Sequence, residues 1–211
     1  MTDRATAAPD AASPASTPGV ADRLDAAIRR YGLHAALVVA LTALIGSLYF
    51  SNIRGYTPCV LCWYQRIFMY PLAFILAIGI GVRDRAVARY VIPPALVGTA
   101  VAVYHVLLQK TDWLPETPAC KVSVPCSSDY IYWLGFITIP VLSLTAFVLI
   151  LIFVSSTLTP AAEFEPAWGA RPWGRVAAIV FGTVVVFIVL WRIDPRAVVQ
   201  LGPDIGIPIV G

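Results

Sequence analysis

The sequence predicts an all-α membrane protein, and three observations carry that reading. The 211 residues are 59% hydrophobic and only 13% charged, whereas a soluble domain is about half apolar and about a quarter charged. The apolar residues are gathered into five runs rather than spread along the chain. Arginines crowd the short polar segments between those runs, as they do at the ends of membrane-spanning helices. The net charge of +3 is small and scattered, which argues against a nucleic-acid partner.

Residues 1 to about 20 are rich in Ala, Pro, Ser and Thr. No apolar core of a signal peptide stands near the start, and the composition is that of a disordered tail. Residues 21–32 fit a short surface helix carrying Arg23, Arg29 and Arg30. The first apolar run is Leu33 to Phe50, the second Trp63 to Val82, the third Tyr90 to Leu108 and the fourth Ile131 to Val154. Each approaches the roughly 20 apolar residues that a spanning helix needs. The fifth run, Val176 to Trp191, is short, but Arg175 and Arg192 at its ends can snorkel and extend it. The linker before it holds Pro160, Glu163, Glu165, Pro166 and Pro172. The tail after it holds Pro195, Pro203 and Pro208 and predicts little regular structure.

Placing the N-terminus in the cytoplasm puts Arg23, Arg29, Arg30, Arg83, Arg85, Arg89, Arg171 and Arg175 inside. Arg54, Lys110, Lys121, Arg192 and Arg196 then lie outside, so the basic excess is cytoplasmic. The segments after runs one and three fall on the opposite, oxidising face. They carry every cysteine in the chain: Cys59 and Cys62 in the first, Cys120 and Cys126 in the second.

Cys59 and Cys62 form a Cys-x-x-Cys at the start of run two, behind Pro58. Such a pair can make a disulfide or share a metal. Cys62 lies near a helix N-terminus, whose partial positive charge favours a thiolate, and Arg66 is one turn beyond on the same face. Arg66 can equally be a snorkelling interfacial residue. Cys120 and Cys126 sit on a polar segment of about twenty residues, long enough to be functional. Two pairs on one face, one exposed and one at the membrane edge, suggest a relay by thiol–disulfide exchange. A lipid-soluble quinone is the natural acceptor at its membrane end. Competing readings are two structural disulfides, a Cys₄ zinc site, or a transporter, the last disfavoured by the few charges inside runs one to four.

The stretch Cys59-Val60-Leu61-Cys62-Trp63-Tyr64-Gln65-Arg66-Ile67-Phe68-Met69-Tyr70-Pro71-Leu72 resembles the signature of the DsbB family of disulfide bond formation proteins, above all its BdbC branch. A second block, Cys126 to Pro140, is similar to the stretch where that branch enters its fourth helix. The resemblance covers roughly Leu33 to Val154. It implies a four-helix transmembrane bundle, to which the fifth run adds a C-terminal transmembrane helix. The corresponding division is a tail and surface helix over 1–32, a redox domain over 33–154, a cytoplasmic linker over 155–174, and an extra helix with an extracytoplasmic tail over 175–211.

The resemblance further implies a protein of the bacterial plasma membrane that reoxidises a DsbA-like thioredoxin-fold partner and delivers the electrons to ubiquinone or menaquinone. By position, Cys120 would take the partner's attack, Cys126 would pass electrons to Cys59, and Cys62 would face the quinone as a thiolate. Arg66 would stabilise the quinone oxygen or that thiolate, and His105 matches a family histidine near the quinone. The five-residue spacing within the loop pair is short, as in the BdbC branch. The helix after residue 155 departs from the four-helix pattern. A vitamin K epoxide reductase-like protein also uses two cysteine pairs and a quinone, but the Cys-x-x-Cys precedes the loop pair here, the reverse of that family's order.

Overall fold

The computed structural model describes residues 19–84, 86–111, 114, 118, 120, 124–128, 131, 134, 136–158 and 171–193. Residues 1–18, most of the linker at 159–170 and the tail at 194–211 lie outside the described residues, so the expectations for them stand as expectations. The described elements are helices: α1 (Val20–Leu48) ending in a π turn (Tyr49–Ile53), α2 (Val60–Val82), α3 (Val87–Lys110), α4 (Ile139–Ser155) and α5 (Pro172–Ile193). Four of them, α1, α2, α3 and α5, are long and apolar enough to cross a membrane, while α4 is apolar but shorter.

Helices α1 to α4 close a ring, with α1 against α2 and α4, and α3 against α2 and α4. The core between them contains Leu37, Leu72, Leu76, Val91, Phe147 and Ile150, all fully buried. The α2–α3 connection is short enough to force antiparallel neighbours. It turns through Arg83 in the left-handed region (φ 58°), where the backbone N–H groups of Arg83 and Asp84 return to carbonyls of the last turn of α2. The Asp84 carboxylate then accepts from the Ala86 N–H at 2.7 Å. Gly98 sets the α3–α4 distance, because a Cβ there would overlap the Phe147 ring.

Two boundaries differ from the sequence expectation. The arginine-bearing segment at 21–32 is no separate surface helix; it runs without a break into the first span. An Asp25–Arg29 ion pair at i,i+4 sits on its exposed face. The fourth apolar run becomes helical only at Ile139. Leu134 occupies the left-handed region (φ 50°) and Thr138 is extended. Pro140 then favours the first helical turn, where its missing N–H costs nothing. At 17 residues α4 is about 25 Å long, shorter than the roughly 30 Å hydrocarbon core.

The fifth run is a full helix that begins at Pro172 and packs on the outside of α1 and α2. Trp173 fills the space above Gly81, and Phe187 meets Tyr49 edge-on with ring centres 6.2 Å apart.

Replacing Gly98 with Val is expected to destabilise the bundle by about 1–3 kcal/mol through overpacking against Phe147. An unfolding titration in mixed micelles would read this as a lowered midpoint. Gly182 on α5 has nothing near its Cβ position, and Gly182→Val is expected to leave the midpoint unchanged.

Candidate functional site

The four cysteines converge at the end of the bundle where α2 and α4 begin and α3 finishes. Cys59 is the N-cap of α2, with extended backbone (φ −69°, ψ 171°). Its sulfur accepts the backbone N–H of Cys62 at 3.4 Å, and the two sulfurs stand 3.1 Å apart as free thiols. A side chain at the N-cap is where the unpaired N–H groups of a helix point. The thiolate-stabilising groups therefore meet at Cys59 and not, as expected from sequence, at Cys62. The Cys62 thiol, then the His105 ring and the Cys62 N–H, hold Cys59 far below the ordinary thiol range, against the opposing effect of burial.

His105 is fully buried on α3. Its Nε2 lies 3.0 Å from the Cys126 carbonyl and 3.7 Å from Cys59 Sγ. Its Nδ1 lies 3.1 Å from Nε2 of Gln65, which is itself buried on α2. One tautomer suits both neighbours: the Gln65 amide donates to Nδ1, and the Nε2–H donates to the Cys126 carbonyl. That same N–H faces the Cys59 sulfur. One imidazole thus touches both cysteine pairs.

Cys120 and Cys126 form a disulfide. Sequence reasoning made this the exposed pair; both residues are in fact buried, clustered with Cys59, Leu61 and Leu108. The reason is a tight turn, closed by Ser128 N–H donating to the Pro125 carbonyl at 3.1 Å, which folds Cys126 down onto the bundle. Gln109, one turn beyond His105, donates to the Ser128 carbonyl at 3.3 Å. Its other amide atom accepts the Thr138 hydroxyl at 2.9 Å. Beside both pairs lies a small cleft, partly open at its mouth. Cys59, Cys62, His105, Gln109, Thr138 and Pro140 are among the residues lining it.

Arg66 is not among the residues lining that cleft. Its guanidinium reaches α1, donating to the Ser47 carbonyl at 3.1 Å, and lies 5.2 Å from the Trp63 ring centre in a cation–π contact. The donor atoms of Cys59, Cys62 and His105 fall within 4.8 Å of one another, the donor set of a Cys₂His metal site. In this geometry, however, the imidazole nitrogen that faces the sulfurs carries the proton given to Cys126.

Gln65 and Gln109 were not singled out from the sequence. Gln65 could have been: it falls on the buried face Leu61, Gln65, Met69, Leu72, Leu76 of α2, where a polar residue needs a buried partner. Thr138 gave no such signal.

The sequence profile of the family described as disulfide bond formation protein DsbB matches residues 29–157. The chain belongs to this family. It is 52% identical over 122 residues to disulfide bond formation protein C of Bacillus subtilis (strain 168), covering 58% of this chain and 88% of that protein. A probable disulfide formation protein C of Halalkalibacterium halodurans is 54% identical over 116 residues, 54% of this chain and 84% of the relative. A probable disulfide formation protein of Deinococcus radiodurans is 45% identical over 132 residues, 58% and 86% of the two chains. No solved structure gives a significant match. Family and spans together make this a multi-pass membrane protein with a disulfide oxidoreductase role. Helix α5 lies beyond the matched residues.

The thiolate is the reactive form, so a lowered Cys59 pKa moves its reactivity to lower pH. In protein with Cys59 and Cys62 reduced, iodoacetamide is expected to modify Cys59 at pH 6 within about twofold of its rate at pH 8. A thiol titrating near 8.5 would slow by about two orders of magnitude. His105→Ala is expected to move the pH midpoint upward. Gln65→Leu should also raise it, by releasing the ring. Midpoints read from alkylation rates by peptide mass spectrometry check both.

Proposed function

We propose that this protein reoxidises a soluble, DsbA-like thioredoxin-fold thiol oxidase and passes the electrons to a membrane quinone. The observation that carries the reading is the meeting of both cysteine pairs in one buried cluster, bridged by His105.

In this reading the reduced partner's thiolate attacks Cys120, displacing the Cys126 thiolate, and the partner's second thiol resolves the mixed disulfide. The partner leaves oxidised and the loop pair is left as two thiols. The Cys126 thiolate then attacks Cys59 of the oxidised Cys59–Cys62 pair and displaces the Cys62 thiolate. Cys120 attacks Cys126 in turn, which restores the loop disulfide and releases Cys59 as a thiolate. Two electrons have crossed from the loop pair to the helix-end pair. His105 steadies the released Cys59 thiolate and holds the Cys126 backbone.

In this reading a quinone head group docks at the mouth of the cleft beside Cys62. The second N–H of the Gln109 amide, not used on Ser128, offers a donor to a ring oxygen, while Ile139 and Pro140 offer apolar contacts. A bound quinone would supply a two-electron, two-proton acceptor. Arg66, one turn from Cys62, would add positive charge at the bilayer edge without entering the cleft. A DsbA-type oxidant has a potential near about −120 mV, so its reoxidation needs a stronger acceptor than another ordinary dithiol. The charge distribution supports a plasma-membrane topology with the N-terminus cytoplasmic and the cysteines outside.

Purified protein in detergent, given a reduced thioredoxin-fold partner and a soluble quinone analogue, is expected to reduce the quinone. Cys62→Ser and Cys120→Ser should each lower the rate at least about a hundredfold, as loss of an essential nucleophile does. Quinone reduction that persists without Cys120 would remove the loop pair from the path. No reduction by wild type would overturn the reading as a whole.

A further inference from the structure

We propose that Gln109 is a positioning residue which, with His105 one turn before it, clamps the Cys126 turn onto Cys59 while electrons cross between the two pairs; this rests on the relay reading above. His105 and Gln109 are four residues apart on α3 and so share one face. They grip the turn at two carbonyls of its backbone, Cys126 at 3.0 Å and Ser128 at 3.3 Å. Pro125 and Ser128 close that turn with their own hydrogen bond, so the clamp holds a preformed unit rather than a single atom. Because it grips backbone, it is independent of the side chains on the turn and leaves both sulfurs free to react.

The other end of the clamp is anchored in an unusual way. Thr138 is the N-cap of α4, a position where a threonine hydroxyl ordinarily accepts an N–H of its own helix. Here it makes no such cap. The hydroxyl instead donates to Gln109 Oε1 at 2.9 Å, and Thr138 is fully buried. That bond fixes which way the amide faces, leaving Nε2 directed at Ser128. The orientation of Gln109 is therefore set by α4 and transmitted to the loop pair.

The clamp works on the internal exchange, in which Cys126 sulfur bonds to Cys59, Cys62 leaves as thiolate, and Cys120 then displaces Cys59. That step needs Cys126 docked. The preceding attack by an external thiol needs Cys120, wholly buried in the docked state, to become reachable. Loss of the clamp should accordingly move the two steps in opposite directions, which mere loosening of the fold would not do.

The test uses full-length, fully oxidised protein in detergent at pH 8. Limiting dithiothreitol is added, the reaction is quenched in acid at intervals, and the redox state of each pair is read by alkylation and peptide mass spectrometry. In wild type, thiols should appear first on the loop pair and then on Cys59 and Cys62 as the loop disulfide re-forms. Gln109→Met keeps the length and removes both hydrogen bonds. Gln109→Glu keeps the acceptor for Thr138 and turns a carboxylate on the Ser128 carbonyl. Both are expected to reduce at the loop pair as fast as wild type or faster, and to pass electrons onward about fivefold to tenfold more slowly, the scale of one or two hydrogen bonds. Onward transfer at the wild-type rate in both variants, or an equal fall in both steps, would overturn the clamp. Wild-type protein that reduces at the loop pair and never at Cys59 and Cys62 would instead overturn the relay on which the clamp depends.

Discussion

The hydrogen bonds of one buried imidazole hold the two cysteine pairs in register. His105 joins α3 to α2 through Gln65 and to the loop through the Cys126 carbonyl, and its Nε2 faces the Cys59 sulfur. At the edge of a bilayer a buried polar group without a partner is costly. Each of these contacts therefore constrains the others. Tilting the ring toward Cys59 weakens its bond to Cys126, and moving the loop leaves the N–H unpaired. The pairs are coupled in position before any sulfur reacts.

The same constraint explains why the donors gather at Cys59. The Cys-x-x-Cys straddles the start of α2, so the first cysteine becomes the N-cap and the second lies in the first turn. Donors at a helix start aim outward to the cap. Cys59 receives them, and His105 adds another from α3. Cys62 is left at the wall of the cleft. The two cysteines of one short motif thus have different surroundings because of where the helix begins.

Helix α5 stands apart from this machinery. It touches α1 and α2 and, among the described residues, neither α3 nor α4. Trp173 at one end and Phe187 near the other fix it to the bundle, while most of its apolar surface faces outward. A helix apolar on its exposed side suits lipid rather than water. Its attachment buttresses the α1–α2 pair, which also carries the contact of Arg66 with Ser47.

Much of this protein was legible in the sequence, because its signals are local. Runs of apolar residues need only length to mark a helix in a bilayer, and a cysteine motif needs only its spacing and its place at a run's edge. The fifth helix followed from composition alone. Tertiary structure decided what depends on residues distant in the chain. Pro125, where the turn that covers Cys59 begins, lies 66 positions further along the chain, and only packing makes that segment bury Cys120 and Cys126. No periodicity announces that Thr138 gives up capping its own helix to orient Gln109. Likewise, no spacing shows that Arg66 turns toward α1 while Gln65, its neighbour in sequence, turns inward to His105. A helix sends adjacent residues about 100° apart, and which direction becomes the site is settled by the helices that pack around it.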